Sequence, residues 1–221
     1  MCEKDRDYKI VPLGCNCLVR TVLTRGGVKP SKKDGELSYP FDLVSHSLPN
    51  IIKYLKDDFY GYTDDLFFVI KKRNFLDFRN KGLWQKPDGT RFFHDKDCGR
   101  NDLEKITTRI NNRINNFREL IKSETPILFV VHTIRDGEYI DELYKTLSEL
   151  CPNKHFELAV LDFNNTVTNY SSNIHLLQMT KPTPNFNRYW NRKLYRNSKV
   201  GKYVEENICS FVQNIIDRKF K

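Results

Sequence analysis

The run Pro126-Ile127-Leu128-Phe129-Val130-Val131 is continuously apolar and ends at His132. Such a run, too short for a helix and without alternation, is the pattern of a parallel strand covered on both faces. Downstream, Ile140, Leu143, Leu147 and Leu150 recur at helical spacing and stop before Pro152. A second apolar run follows from Phe156 to Phe163, completing a strand–helix–strand unit. Upstream, Asn101-Asp102-Leu103-Glu104 reads as a capping box, opening a helix that carries Leu103, Ile106, Ile110, Ile114, Phe117 and Ile121. Ile174 to Met179 predicts a further strand, and Val204, Ile208, Phe211, Val212 and Ile215 a closing amphipathic helix.

The same reading holds at the N-terminal end. Lys9-Ile10-Val11-Pro12-Leu13 is a strand, Gly14-Cys15-Asn16-Cys17 a turn, and Leu18 to Leu23 the start of a helix. The middle is less regular. Ser47 caps a helix bearing Ile51, Ile52 and Leu55; Leu66–Ile70 and Arg91–Phe93 read as strands; Arg79–Thr90 reads as loop, with Pro87-Asp88-Gly89 as a turn. The expected fold is α/β: one domain over residues 1–221, a central, mostly parallel sheet with helices on both faces.

Composition narrows the class. The 221 residues, 39% hydrophobic and 29% charged, suit a soluble domain with a sizeable core. No apolar run approaches the roughly 20 residues of a membrane span. The charged start, Met1 to Asp7, lacks the apolar centre of a signal peptide, so a cytoplasmic location is expected, the host's cytoplasm if the source is viral. The frequent Lys, Asn and Ile suggest AT-rich coding, as in large DNA viruses and some bacteria. The six cysteines show no disulfide spacing and are expected as free thiols. No glycine-rich phosphate loop is present, so no nucleotide cofactor is expected.

Ligands of such sheets bind beyond the carboxyl ends of the strands, where Cys17, His132 and Asp162 all fall. Cys17 also begins a helix, where unpaired N–H groups and the helix dipole favour a thiolate. Cysteines so placed titrate at roughly 3.5–7.5 and are nucleophiles at neutral pH. A thiol nucleophile needs a base. His155 and His175 read as structural or exposed, and His46, in Ser45-His46-Ser47, as exposed beside a helix cap. His94 and His132 remain equal candidates on this reading. Cys15, Cys17, His94 and Cys98 could in principle hold zinc, but their spacing is not that of zinc sites, and no metal is expected.

Leu13-Gly14-Cys15-Asn16-Cys17, Ser38-Tyr39-Pro40-Phe41-Asp42 and Phe93-His94-Asp95, in that order, resemble a family of bacterial and viral papain-like cysteine peptidases. The resemblance runs from about Ile10 to Asp162. It implies Cys17 as nucleophile, His94 as base and Asp42 as an orienting or substrate-contacting carboxylate, for which a helix or turn cap is an equal reading. Two residues depart from the family pattern: Arg20, where it has a small residue, and Leu43, where it has Trp. The substrate implied is a protein or an acyl compound.

Shorter likenesses of the first turn, to coenzyme-A-binding polysaccharide-biosynthesis proteins and to cysteine-bearing relatives of the SGNH esterases, imply acyl transfer or ester cleavage by the same thiol. For the former, Arg20, Arg25, Lys29 and Arg135 are the candidate phosphate-binding cations. A non-enzymatic alternative is nucleic-acid binding. The net charge of +9 and the interleaved basic and aromatic residues 188–203 would suit it, although a helix burying Trp190 and Leu194 reads better.

Overall fold

The computed structural model describes residues 7–70, 82–95, 97–168, 170–180 and 193–221. Four parallel strands form the main sheet: β1 (Lys9–Gly14), β6 (Ile127–Thr133), β7 (Phe156–Asp162) and β8 (Ile174–Gln178), in spatial order β1-β6-β7-β8. The register sets Gly14 beside His132 and Thr133 beside Asp162, so the carboxyl ends of the first three strands lie level.

Period-2 alternation divides these strands between two cores. Val11, Leu13, Phe129, Val131, Leu158 and Val160 pack with α2 (Leu48–Lys56), α3 (Leu103–Lys122) and α4 (Ile140–Leu150). Ile10, Leu128, Val130, Ala159 and Leu161 pack with α1 (Leu18–Arg25) and the closing helix α6 (Lys199–Lys219), which a short helix α5 (Lys193–Arg196) precedes. Both faces are therefore dry, which is why these strands read as apolar runs. The α/β expectation is met.

A second sheet lies between α1 and α3 in sequence. Its strands β2 (Val44–Ser45), β3 (Phe67–Val69), β4 (Leu83–Gln85) and β5 (Arg91–Phe92) are antiparallel, in order β2-β5-β4-β3. The loop expected over Arg79–Thr90 is thus corrected: Leu83–Gln85 is a strand pairing with both β3 and β5. Three residues are too few to show a period, and Trp84, 4% exposed, anchors them in the core. The turn at Pro87-Asp88-Gly89 does form, with Lys86 N–H donating to Thr90 O and Gly89 at φ 88°.

The capping box at α3 does not form. Asp102 takes the Gly99 N–H instead, and its side chain makes no cap bond. Ser47 caps α2 as expected, accepting from Asn50 N–H at 3.3 Å. His46, expected exposed, is buried: it stacks on Tyr62 and shares a 2.8 Å hydrogen bond with the Tyr62 hydroxyl.

Candidate active site

The first turn is sharp. A Cβ on Gly14 would lie 2.3 Å from Asn16 O, so only glycine lets the chain leave β1 and enter α1 this tightly. Cys17 occupies the N-cap of α1, and its carbonyl accepts from Thr21 N–H at 3.0 Å. The Asn16 side chain takes the Leu18 N–H at 2.8 Å. The next N–H groups, of Val19 and Arg20, have no acceptor within the helix. Half-buried Cys17 packs on the α1/α6 side of the sheet, whereas Cys15 packs on the other side and donates its thiol to His132 O at 3.2 Å. Burial pushes the Cys15 thiol up to about 12, and those of Cys151 and Cys209 up to about 11. Among the described residues, no three His, Cys, Asp or Glu side chains converge as a metal-binding group.

Asp42 is enclosed and ion-paired with Arg20, which lies one turn into the helix that Cys17 opens. The same carboxylate oxygen accepts from Tyr39 N–H at 3.1 Å. Arg20 also donates to Leu37 O. Beside this pair, the fully buried Lys29 is bonded to Glu36 and to Ile10 O. Burial pushes the Asp42 carboxyl up, against the pull of Arg20 and Lys29. Burial likewise pushes the Lys29 amine down, against Asp42 and Glu36. Four buried charges thus cancel in two pairs, the arrangement that makes buried ions tolerable.

His94 is half-buried, two residues beyond the buried Phe92 of β5. Its neighbour Asp95 is buried and held by Arg113 at 2.7 Å and Arg109 at 2.9 Å, both from α3. The Arg113 charge also acts on Asp42. Two ion-paired carboxylates thus flank the site: Asp42 on Arg20 of α1, and Asp95, beside His94, on Arg109 and Arg113 of α3. The sequence marked Arg20 and Lys29 as candidate phosphate-binding cations and Asp95 as part of the Phe93-His94-Asp95 motif, but not their pairing with Asp42, Glu36 and Arg113; Glu36 and Arg113 were not singled out at all. The signal for the burial of Arg20 is a cation set among the core residues Leu18, Val19, Val22 and Leu23.

His132, the other candidate base, is fully buried on the Cys17 side of the sheet, edge-on to Phe163. Among the described residues, neither of its ring nitrogens has a hydrogen-bond partner, and burial pushes it down to about 4. Asp162 follows the parity of Val160 and projects from the opposite face. There its carboxylate accepts from Asn164 N–H, the Thr166 hydroxyl and Val167 N–H, clamping its own loop. The strand-end trio is therefore parted by the sheet. Three of the four cations considered for coenzyme A are already paired: Arg20 with Asp42, Lys29 with Glu36 and Arg25 with Glu205. Arg135 is exposed.

The buried imidazoles have a consequence for stability. His132 at about 4 and His46 at about 3 both lie below the ordinary histidine value of 6.5. Unfolded chains bind these protons in a window where the fold does not. The stabilisation is therefore complete above about pH 6.5 and lost as pH falls through the folded values. His132→Leu should remove about 3 kcal/mol of the pH dependence between pH 7 and 4. Urea midpoints of the parent and H132L across that range test this, and parallel curves would refute it.

No curated protein and no solved structure matches the chain. One family model does, over residues 8–173, and its description is "Putative papain-like cysteine peptidase (DUF1796)". The matched span takes in Cys17, Asp42 and His94 and most of the chain, so the protein belongs to that family.

Proposed function

We propose that the protein is a thiol-dependent hydrolase of peptide bonds, with Cys17 as nucleophile and His94 as its base. The observation that carries this reading is the position of Cys17 at the N-cap of α1, the helix whose Arg20 pairs with Asp42, while Asp95, beside His94, is held by Arg113 of α3. In the reaction, His94 takes the Cys17 proton and the sulfur attacks the carbonyl carbon. The N–H groups opening α1 receive the charge that develops on oxygen. Protonated His94 then gives its proton to the departing amine, leaving a thioester. Water, deprotonated by His94, attacks that thioester and releases a carboxylic acid and the free thiol. Asp42 acts at one remove, fixing α1 through Arg20.

Hydrolysis is favoured over transfer to or from coenzyme A because three of the four cations a phosphate group would need are neutralised within the fold. His132 is a second candidate for the base, favoured by a ring that has no hydrogen-bond partner among the described residues and lies on the same side of the sheet as Cys17.

Alkylation tests the nucleophile. With iodoacetamide at pH 7 and mapping by mass spectrometry, Cys17 should be modified first. Cys15, Cys98, Cys151 and Cys209 should lag, because burial raises each of their thiols. Labelling of Cys17 no faster than that of Cys2 would overturn the assignment.

A further inference from the structure

The corner formed by α5 and the start of α6 is the part of the surface that the proposed chemistry does not use, and it lies beyond the span matched by the family. Three large apolar side chains stand in solvent there: Leu194 at 91% exposure, Tyr203 at 67% and Val200 at 48%. This corrects the expectation that Leu194 is buried in a helix; Trp190 lies outside the described residues. Around them, the ten residues from Lys193 to Lys202 hold four cations (Lys193, Arg196, Lys199, Lys202) and no carboxylate. Lys193, Lys199 and Lys202 are exposed and form no ion pair among the described residues.

The corner is closely packed beneath these side chains. A Cβ on Gly201 would lie 2.1 Å from Tyr195 O, so glycine lets α5 press against α6. Ser198 caps α6, accepting from Gly201 N–H and donating its hydroxyl to Tyr195 O. Val204, Ile208, Val212 and Ile215 fill the inner face of α6. Scattered apolar residues on a surface are ordinary, but three in one corner, ringed by lysines that form no ion pair among the described residues, are not.

We propose that this corner docks the protein on an anionic lipid surface. Leu194 and Val200 would enter the boundary of the acyl chains, Tyr203 would sit at headgroup level, and the lysines would meet lipid phosphates and carboxylates. Nucleic acid suits the charge but not the side chains, because leucine and valine have no aromatic face on which a base can stack. Arg196 also shares a cavity of about 450 Å³ with Arg20, Thr21 and Arg25 of α1. Docking would thus bring the membrane close to the helix that Cys17 opens. The inference rests on this corner alone and survives if the thiol chemistry fails.

Co-sedimentation of the full chain with vesicles tests it. The protein should bind phosphatidylcholine vesicles containing about 30 mol% phosphatidylserine and not phosphatidylcholine alone. Raising salt from about 0.1 M to about 0.5 M should weaken binding about tenfold, as should K199E/K202E. L194S/V200S should also lose about tenfold with unchanged circular dichroism and melting temperature. A Leu194→Trp variant supplies an independent readout, a blue shift of its emission on serine-containing vesicles. Absence of serine-dependent binding, or no shift at position 194, would overturn the proposal. So would L194S/V200S binding as tightly as the parent, which means electrostatic adsorption only. Tighter binding to a single-stranded oligonucleotide, untouched by L194S/V200S, would overturn it in favour of nucleic acid.

Discussion

Replacing Arg20 by methionine should destabilise the fold by about 3–5 kcal/mol, because it strands the Asp42 carboxyl in the core without its cation. The two side chains are 8% and 1% exposed, so the pair is largely shielded from bulk water. The penalty should depend on pH, with a sign that can be worked out. Burial already raises Asp42 above its ordinary 3.8, and removing Arg20 removes a lowering influence. The folded variant then binds a proton in a range where the unfolded chain has lost it. Stability therefore falls as pH rises above about 4, more steeply than in the parent. The double variant R20M/D42N, which keeps an acceptor for Tyr39 N–H, should recover most of the loss. Urea denaturation of the three proteins at pH 5 and 7 is the measurement. A loss below about 1 kcal/mol for R20M would show that Asp42 is already neutral or hydrated.

That prediction was out of reach of the sequence, and the reason is physical. Arg20 and Asp42 are joined across 22 positions, and Asp95 reaches Arg113 across 18. Neither spacing corresponds to a helical turn or a strand period, so no local pattern reveals them. The parallel sheet was legible for the opposite reason. Ile127–Val131 and Leu158–Leu161 are buried on both faces by helices, and that requirement is written into every residue of each run. The small antiparallel sheet was legible only in part: Leu66–Ile70 and Arg91–Phe93 read as strands and hold β3 and β5, whereas β2 and β4 escaped because strands of two or three residues carry no periodicity. Its stability comes instead from Trp84, Phe92 and Val44 packing against distant helices. Within the site, the position of Cys17 could be read from a strand, a glycine and a helix start in succession. The burial of His132 and the turning away of Asp162 could not, because both depend on which face a side chain leaves.

The largest effect on chemistry is expected at His94. His94→Ala should slow acylation of Cys17 by a substrate-like electrophile about 10²–10⁴-fold, the usual contribution of a positioned base. His132→Leu should leave that rate within a few-fold of the parent's, which the environments of the two rings explain. His94 is half-buried beyond β5, within reach of solvent and substrate, beside an aspartate fixed by two arginines. His132 is sealed among apolar side chains, and burial pushes it down to about 4, which makes it a poor acceptor of a thiol proton. The comparison needs both variants folded, so each is checked by its thermal transition before labelling is followed at pH 7. Suppression of labelling by H132L and not by H94A would reverse the assignment. The base would then come from β6, and the His94-Asp95 pair would be left with the structural task of joining β5 to α3.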